Sequence, residues 1–403
     1  MENFNRLILS ARAVALFKNV INDKCIVSLL RLLEADSNNE KEFLSLYSDF
    51  ISLLYEKTDD LCEYINSLLQ NDENIYVRDS AKGQASPILQ KALENELDFF
   101  ESLSKITCDD VKKIINTDIY LPEWKNSNLS VKEEYIRKIS SIKTTGYGIY
   151  ATHRMFLYKD NEIVPVKFPD PQQLSQMSGY ELERQKVIDN TMALLNGKPC
   201  NNVLLYGDAG SGKSSTIKAI VNEYHEMGLR LIEIKKNQLY SLPDVLEKLA
   251  DNPLKFIIFI DDLSFSTNDS DFGALKAILE GGVAGKTENI AIYATSNRRN
   301  HVKENFNDRN GDDIHLQDTI QEVMSLSARF GLKITFSNPN KDLYLSIVEN
   351  LSMQYNIDIS KDELSIQAEA FALRNGGRSP RTAKQFIEYL ASKSELRYSW
   401  RKI

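Results

Sequence analysis

Val203 to Ser215 reads VLLYGDAGSGKSS. A short apolar strand, Val203 to Tyr206, runs into GDAGSGKS and then into a helical pattern from Ser214 to Met227. This is the pattern GxxxxGKS in the strand–loop–helix context that it requires. Its glycines let backbone N–H groups curl around a phosphate without Cβ clashes. Lys213 reaches the β and γ oxygens, Ser214 offers a hydroxyl to Mg²⁺, and the helix that starts there adds its positive end. The candidate phosphate-binding set is Gly207, Asp208, Ala209, Gly210, Ser211, Gly212, Lys213, Ser214 and Ser215.

Outward from this loop, FIIFIDD (Phe256 to Asp262) is a buried strand that ends in two acids. A parallel sheet presents its ligand-binding edge at such strand ends. Asp261 is the candidate for the Mg²⁺ shell, with Ser214. Asp262 is placed to orient an attacking water; the alternative is that it caps a loop. YATSN (Tyr293 to Asn297) closes the next strand, and Asn297 is a candidate donor to the γ-phosphate or to that water. Arg329 in SLSARFG and Arg381 in GGRSPRTAKQF supply guanidinium groups, which match phosphate oxygens bidentately. Arg329 is the candidate for a neighbouring subunit's site. Arg381 is the candidate for the chain's own nucleotide, with Arg378 as its competitor.

Strand and helix patterns alternate from about residue 179 to 338. Leu229 to Ile234, Ile290 to Ala294 and Leu332 to Phe336 are further strands, and Val245 to Ala250 and Ala274 to Leu279 further helices. Such alternation argues for an α/β unit with a mostly parallel sheet covered on both faces. After Pro339 the strands stop, and Leu343 to Tyr355, Lys361 to Arg374 and Pro380 to Ser394 read as a small helical domain over 339–403. Residues 1–110 read as a separate helical domain, from apolar residues at helical spacing. Between them, 111–178 is a linking segment. Its stretch Gly146 to Phe168 reads as a hairpin or as an extended run, and Pro165, Pro169 and Pro171 follow it.

Composition narrows the class. The chain has 403 residues, 49 Lys/Arg against 57 Asp/Glu, and 42% hydrophobic residues. That balance excludes a disordered chain and a generally basic nucleic-acid coat. Residues 1–100 hold 10 Lys/Arg and 17 Asp/Glu, so most of the net charge of −8 lies there. We read this as a solvated helical surface or a face for a basic partner. The cysteines Cys25, Cys62, Cys108 and Cys200 are far apart, and the start MENFNRLILSARAVALF lacks the pattern of a signal peptide. A cytoplasmic protein with structural thiols and no membrane partner is expected. RRNHVKENFNDR (Arg298 to Arg309) is a charged loop that offers a weak case for nucleic acid, and we expect none.

With these motifs in this order, the chain resembles the AAA+ superfamily. More closely it resembles a bacterial family of ATP-binding proteins known as domain of unknown function 815. The residues are GYELERQKVIDNT (Gly179 to Thr191), FIDDLSF (Phe259 to Phe265), LKAILEGGVAG (Leu275 to Gly285), YATSNRR (Tyr293 to Arg299), LSARFGL (Leu326 to Leu332) and GGRSPRTAKQF (Gly376 to Phe386). The resemblance implies a sheet of order 5-1-4-3-2 with a helical lid, and Tyr180 and its neighbours near the adenine. It implies sensor roles for Asn297 and Arg381 and an arginine-finger role for Arg329. The superfamily usually carries Glu where this chain has Asp262, and the close family carries an acid where Ser266 stands.

The expected activity is Mg²⁺-dependent ATP hydrolysis that drives a conformational or partner-remodelling step, with ADP as product. The alternative is a nucleotide-gated scaffold with little turnover. A small-molecule kinase using the same loop is a third reading, disfavoured by the helical lid. A homo-oligomer or transient dimer through Arg329 and a protein client at the N-terminal region are the expected partners.

Overall fold

The stretch Gly146 to Phe168 folds largely as a hairpin. Strand β1 (Met155–Lys159) turns at Asp160 and Asn161, both with positive φ (52° and 63°), into β2 (Glu162–Pro165). Asp and Asn tolerate that left-handed region better than other side chains, so the pair suits a two-residue turn. The computed structural model of the chain describes residues 2–36, 39–115, 119–263, 275, 279, 288–297 and 328–400. The polar stretch Ser264 to Phe272, Ser266 within it, Gly281, Gly282, Gly285 and the charged stretch Arg298 to Arg309 lie outside these residues. So does most of the helix expected over Ala274 to Leu279.

Two compact units divide at Thr152 and His153. The first therefore extends well past residue 110, and the expected linking segment is split between the units. Helix Val131–Ser140 belongs to the first core, where Val131 and Tyr135 are fully buried. Helices start where short polar side chains can take their orphan N–H groups. Asp23 accepts from Cys25 and Ile26, Asp60 from Glu63, Asn74 from Val77, and Ser86 from Leu89. Phe17 packs edge-on against Phe100 and Tyr135, at 5.5 and 5.3 Å between centroids, and Trp124 does so against Phe50 at 5.2 Å.

The second unit is a seven-stranded sheet. Its other strands are β3 (Val203–Gly207), β4 (Leu229–Glu233), β5 (Lys255–Ile260), β6 (Ile290–Ser296) and β7 (Leu332–Phe336). The order is β2-β1-β4-β5-β6-β3-β7, all parallel except for the hairpin pair. Counted alone, the five strands from Val203 onward run 5-1-4-3-2 across the sheet. The hairpin extends that order at one edge, where Met155 to Leu157 pair with Leu231 to Glu233. Central strands are mostly apolar, as in a sheet covered on both faces, and every residue of β6 is buried. After β7 the chain forms helices Lys341–Gln354, Lys361–Arg374 and Pro380–Trp400 around Tyr344, Val348, Ala368 and Ile387. Among the described residues no helix is long and apolar enough to cross a membrane.

Candidate functional site

The loop after β3 takes the shape its glycines permit. Gly207, Gly210 and Gly212 have φ of 136°, 77° and 90°. A Cβ on Gly207 would stand 2.1 Å from the Phe336 carbonyl oxygen, so only glycine lets the chain pass β7 there. Helix Lys213–Tyr224 then starts with Gly212 as its N-cap, and its first N–H groups have no acceptor within the helix. Lys213 is buried, and its Nζ donates to the carbonyls of Gly207 (3.1 Å) and Asp208 (2.7 Å). Burial holds its ammonium below the usual lysine range.

Asp261 gathers the second group. Its Oδ1 accepts from Ser214 Oγ at 2.6 Å and from Thr295 Oγ1 at 2.5 Å. The Asp262 N–H donates to Thr295 Oγ1 at 3.0 Å, and Asn297 Nδ2 donates to Asp262 Oδ1 at 2.7 Å. Pairing of β5 with β6, Ile260 opposite Ala294, brings these two strand ends together. Asp262 stands at φ 52°, a region that Asp adopts more readily than Glu. That gives a backbone reason for an acid one methylene shorter than the superfamily's usual residue. Ser214 and Asp261 are hard oxygen donors side by side, which suits Mg²⁺ arriving with phosphates. Among the described residues no cluster of three or more His, Cys, Asp or Glu could hold a metal by itself.

These groups face a cleft of about 450 Å³ between the sheet's edge and the helical lid. Ala209 to Ser215, Asp261, Asp262, Thr295, Asn297 and Arg381 line it. Asp208 does not: its carboxylate turns away and accepts from the Asn338 N–H at 2.8 Å. Gly207 also lies behind the lining. Arg381 donates its backbone N–H to Gly210 O at 3.2 Å and has an exposed side chain at the cleft. Arg378 is held by both oxygens of Glu369, at 2.8 and 2.6 Å, which leaves the cleft to Arg381. Arg329 sits half-buried just before β7, outside this cleft.

Besides the phosphate loop, Met177, Ser178, Tyr180, Arg184, Ile347 and Leu351 line the cleft. Tyr180 is buried there with φ 60°. Its hydroxyl donates to Ser337 O, its ring lies 5.3 Å from that of Phe336, and burial pushes its pKa up to about 12. Sequence reasoning missed Thr295, although it lies inside YATSN. It also missed Arg184, whose buried guanidinium donates to Gly179 O and Met177 O and so holds this wall. Arg184 falls on the buried stripe Arg184, Val187, Thr191, Leu194 of helix Glu181–Leu195, and a charge on such a stripe was the signal available.

A family model described as "Protein of unknown function (DUF815)" matches residues 151–394. The replication factor C large subunit of Staphylothermus marinus is 29% identical over 118 residues, 27% of this chain and 27% of that protein's own length. The Thermotoga maritima RuvB Holliday junction branch migration motor aligns at 15% identity and a TM-score of 0.37, over 54% of this chain and 63% of that one. A mutant of the same motor aligns at 16% identity and a TM-score of 0.38. The chain belongs to the DUF815 family, and its second unit has the strand order 5-1-4-3-2 that the resemblance to the AAA+ superfamily implies.

Proposed function

With that membership as the premise, we propose that the chain is a cytoplasmic, bacterial AAA+ ATPase that binds ATP with Mg²⁺ and hydrolyses it to ADP. The observation that carries this reading is the hydrogen-bonded series Ser214, Asp261, Thr295, Asp262, Asn297 beside the phosphate loop. Lys213 leaves the loop carbonyls for the β and γ oxygens. Ala209 to Ser215 present N–H groups to the phosphates. Ser214 and Asp261 would hold Mg²⁺, which would supply positive charge against the phosphate oxygens. Asp262 orients the attacking water while Asn297 fixes its carboxylate. Arg381 reaches the nucleotide from the lid, and the base sits by Tyr180. Arg329 serves a neighbouring subunit in a homo-oligomer or transient dimer. The acidic helical unit Met1–Thr152 receives a protein client, and neither nucleic acid nor a membrane is part of the proposal.

A second reading is a nucleotide-gated scaffold with little turnover. It is favoured by the short Asp262 side chain, already engaged by Asn297. Steady-state ATP hydrolysis against protein concentration, with Lys213→Ala as the blank, separates the two. Specific activity that climbs with concentration supports a shared site. A rate flat at the blank level, with ATP still bound, rejects the ATPase in favour of the scaffold.

A further inference from the structure

Three consecutive residues, from the last of β7 toward the lid, are each tied to a residue of the candidate phosphate or base set. The Asp208 N–H donates to Phe336 O at 3.1 Å. The Tyr180 hydroxyl donates to Ser337 O. The Asn338 N–H donates to Asp208 Oδ2 at 2.8 Å. Helix Lys341–Gln354 of the lid starts three residues later, with Asn340 as its cap. The hinge is thus gripped from the phosphate side by Asp208 and from the base side by Tyr180.

Asp208 is an unexpected residue in a loop that binds anions. Facing the cleft, its carboxylate would repel a phosphate. Turned away, it is anchored on a hinge N–H, a charge-assisted bond. Its carbonyl meanwhile accepts from Lys213 Nζ at 2.7 Å and from Ser211 Oγ at 2.8 Å. One residue therefore touches both the lysine that must move to a phosphate and the peptide from which the lid swings. Tyr180 has a matching position: it lines the cleft, packs on Phe336 and bonds Ser337.

We propose that Asp208 and Tyr180 are positioning residues that transmit occupancy of the phosphate and base sites to the lid through Phe336–Asn338. When a phosphate draws Lys213 away, the Asp208 carbonyl loses its charged donor. The turn readjusts, and the Asp208–Asn338 bond carries that change to the hinge. Both ends of the nucleotide bias one element, which is the physical requirement for coupling. This rests on the ATP-binding reading above.

The test uses the full chain with fluorophores on Leu373→Cys in the lid and Lys198→Cys beside the sheet. Both positions are exposed, and the four native cysteines are buried. Energy transfer is read at saturating ATP and at saturating ADP, each with Mg²⁺, so that affinity changes do not enter. The labelled parent is expected to differ between the two nucleotides. Asp208→Ala is expected to lose about half of that difference or more, and Tyr180→Phe a smaller part. Asp208→Asn keeps an acceptor oxygen for the Asn338 N–H and is expected to restore most of the difference, which a loss through misfolding would not do. A full difference in both Asp208→Ala and Tyr180→Phe overturns the inference and leaves ATP binding standing, as does a parent that binds ATP with no difference. A parent that binds no ATP overturns both.

Discussion

In the unit Met1–Thr152 the buried carboxylate of Glu96 accepts from the backbone N–H groups of Ala15, Leu16 and Phe17, at 2.8 to 3.1 Å. It closes a turn and meets its hydrogen-bonding needs within the chain. In the unit His153–Ile403 Asp261 and Asp262 are exposed at a cleft; Thr295 joins the Asp261 carboxylate to the Asp262 N–H, and Asn297 holds the Asp262 carboxylate. The residue types are alike, and what differs is where their remaining capacity points. An acid satisfied by its own backbone builds structure, because removing it strands buried N–H groups. Acids joined in series at an open edge keep lone pairs for something that arrives from outside.

Lys213→Ala gives the largest expected effect. ATP hydrolysis falls by about 10³-fold, since the one mobile cation of the loop is lost. The melting temperature stays close to that of the parent. Glu96→Ala should do the reverse. It leaves three N–H groups, that of the buried Phe17 among them, without their acceptor and lowers stability by about 2 kcal/mol, read by chemical denaturation. Specific ATPase activity of the folded fraction stays at the parent level. A Glu96 variant that lost activity while keeping its stability would break the contrast between the units.

Lys138 sharpens the same contrast through pH. It is buried in the first unit, donates to Gln70 O and lies over the Tyr135 ring. Burial lowers its pKa to about 8 against the opposing pull of Asp72 and Glu73. Between pH 8 and its unfolded value near 10.5 the unfolded state binds more protons, so stability rises with pH across that window. The rise should be on the order of 2 kcal/mol and should vanish in Lys138→Met. Parallel denaturation curves for parent and variant from pH 7 to 10.5 would show that Lys138 carries no such proton.

Much of the second unit was legible in the sequence because its signals are local. The glycines of the phosphate loop, the apolar run before Asp261 and the periodic helices after Pro339 each need only a few neighbouring residues to be read. The boundary at Thr152 was not, because Trp124 and Tyr135 look like residues of any linker until Phe50 and Phe17 pack on them. The hairpin's turn was visible, but not its parallel pairing with β4, which joins residues 76 apart, such as Met155 and Leu231. The outward turn of Asp208 was also hidden, since its partner Asn338 lies 130 residues away. Motifs reveal which residue types gather, and tertiary contacts decide which way each one faces.

The smallest expected effect separates the ATPase from the scaffold. Asp262→Asn keeps the left-handed backbone, which Asn tolerates as Asp does, and keeps an oxygen for the Asn297 amide. It removes only the negative charge that would orient water. Turnover at saturating ATP should fall about tenfold, roughly 1.4 kcal/mol in the barrier. Asp262→Glu is less clean, because a longer side chain at φ 52° adds backbone strain to any gain in reach. An unchanged rate in Asp262→Asn would mean that Asp262 serves the turn alone. Asp262 would then differ from Glu96 in exposure but not in kind, and only a parent rate already at the Lys213→Ala blank would make the gated scaffold the better account.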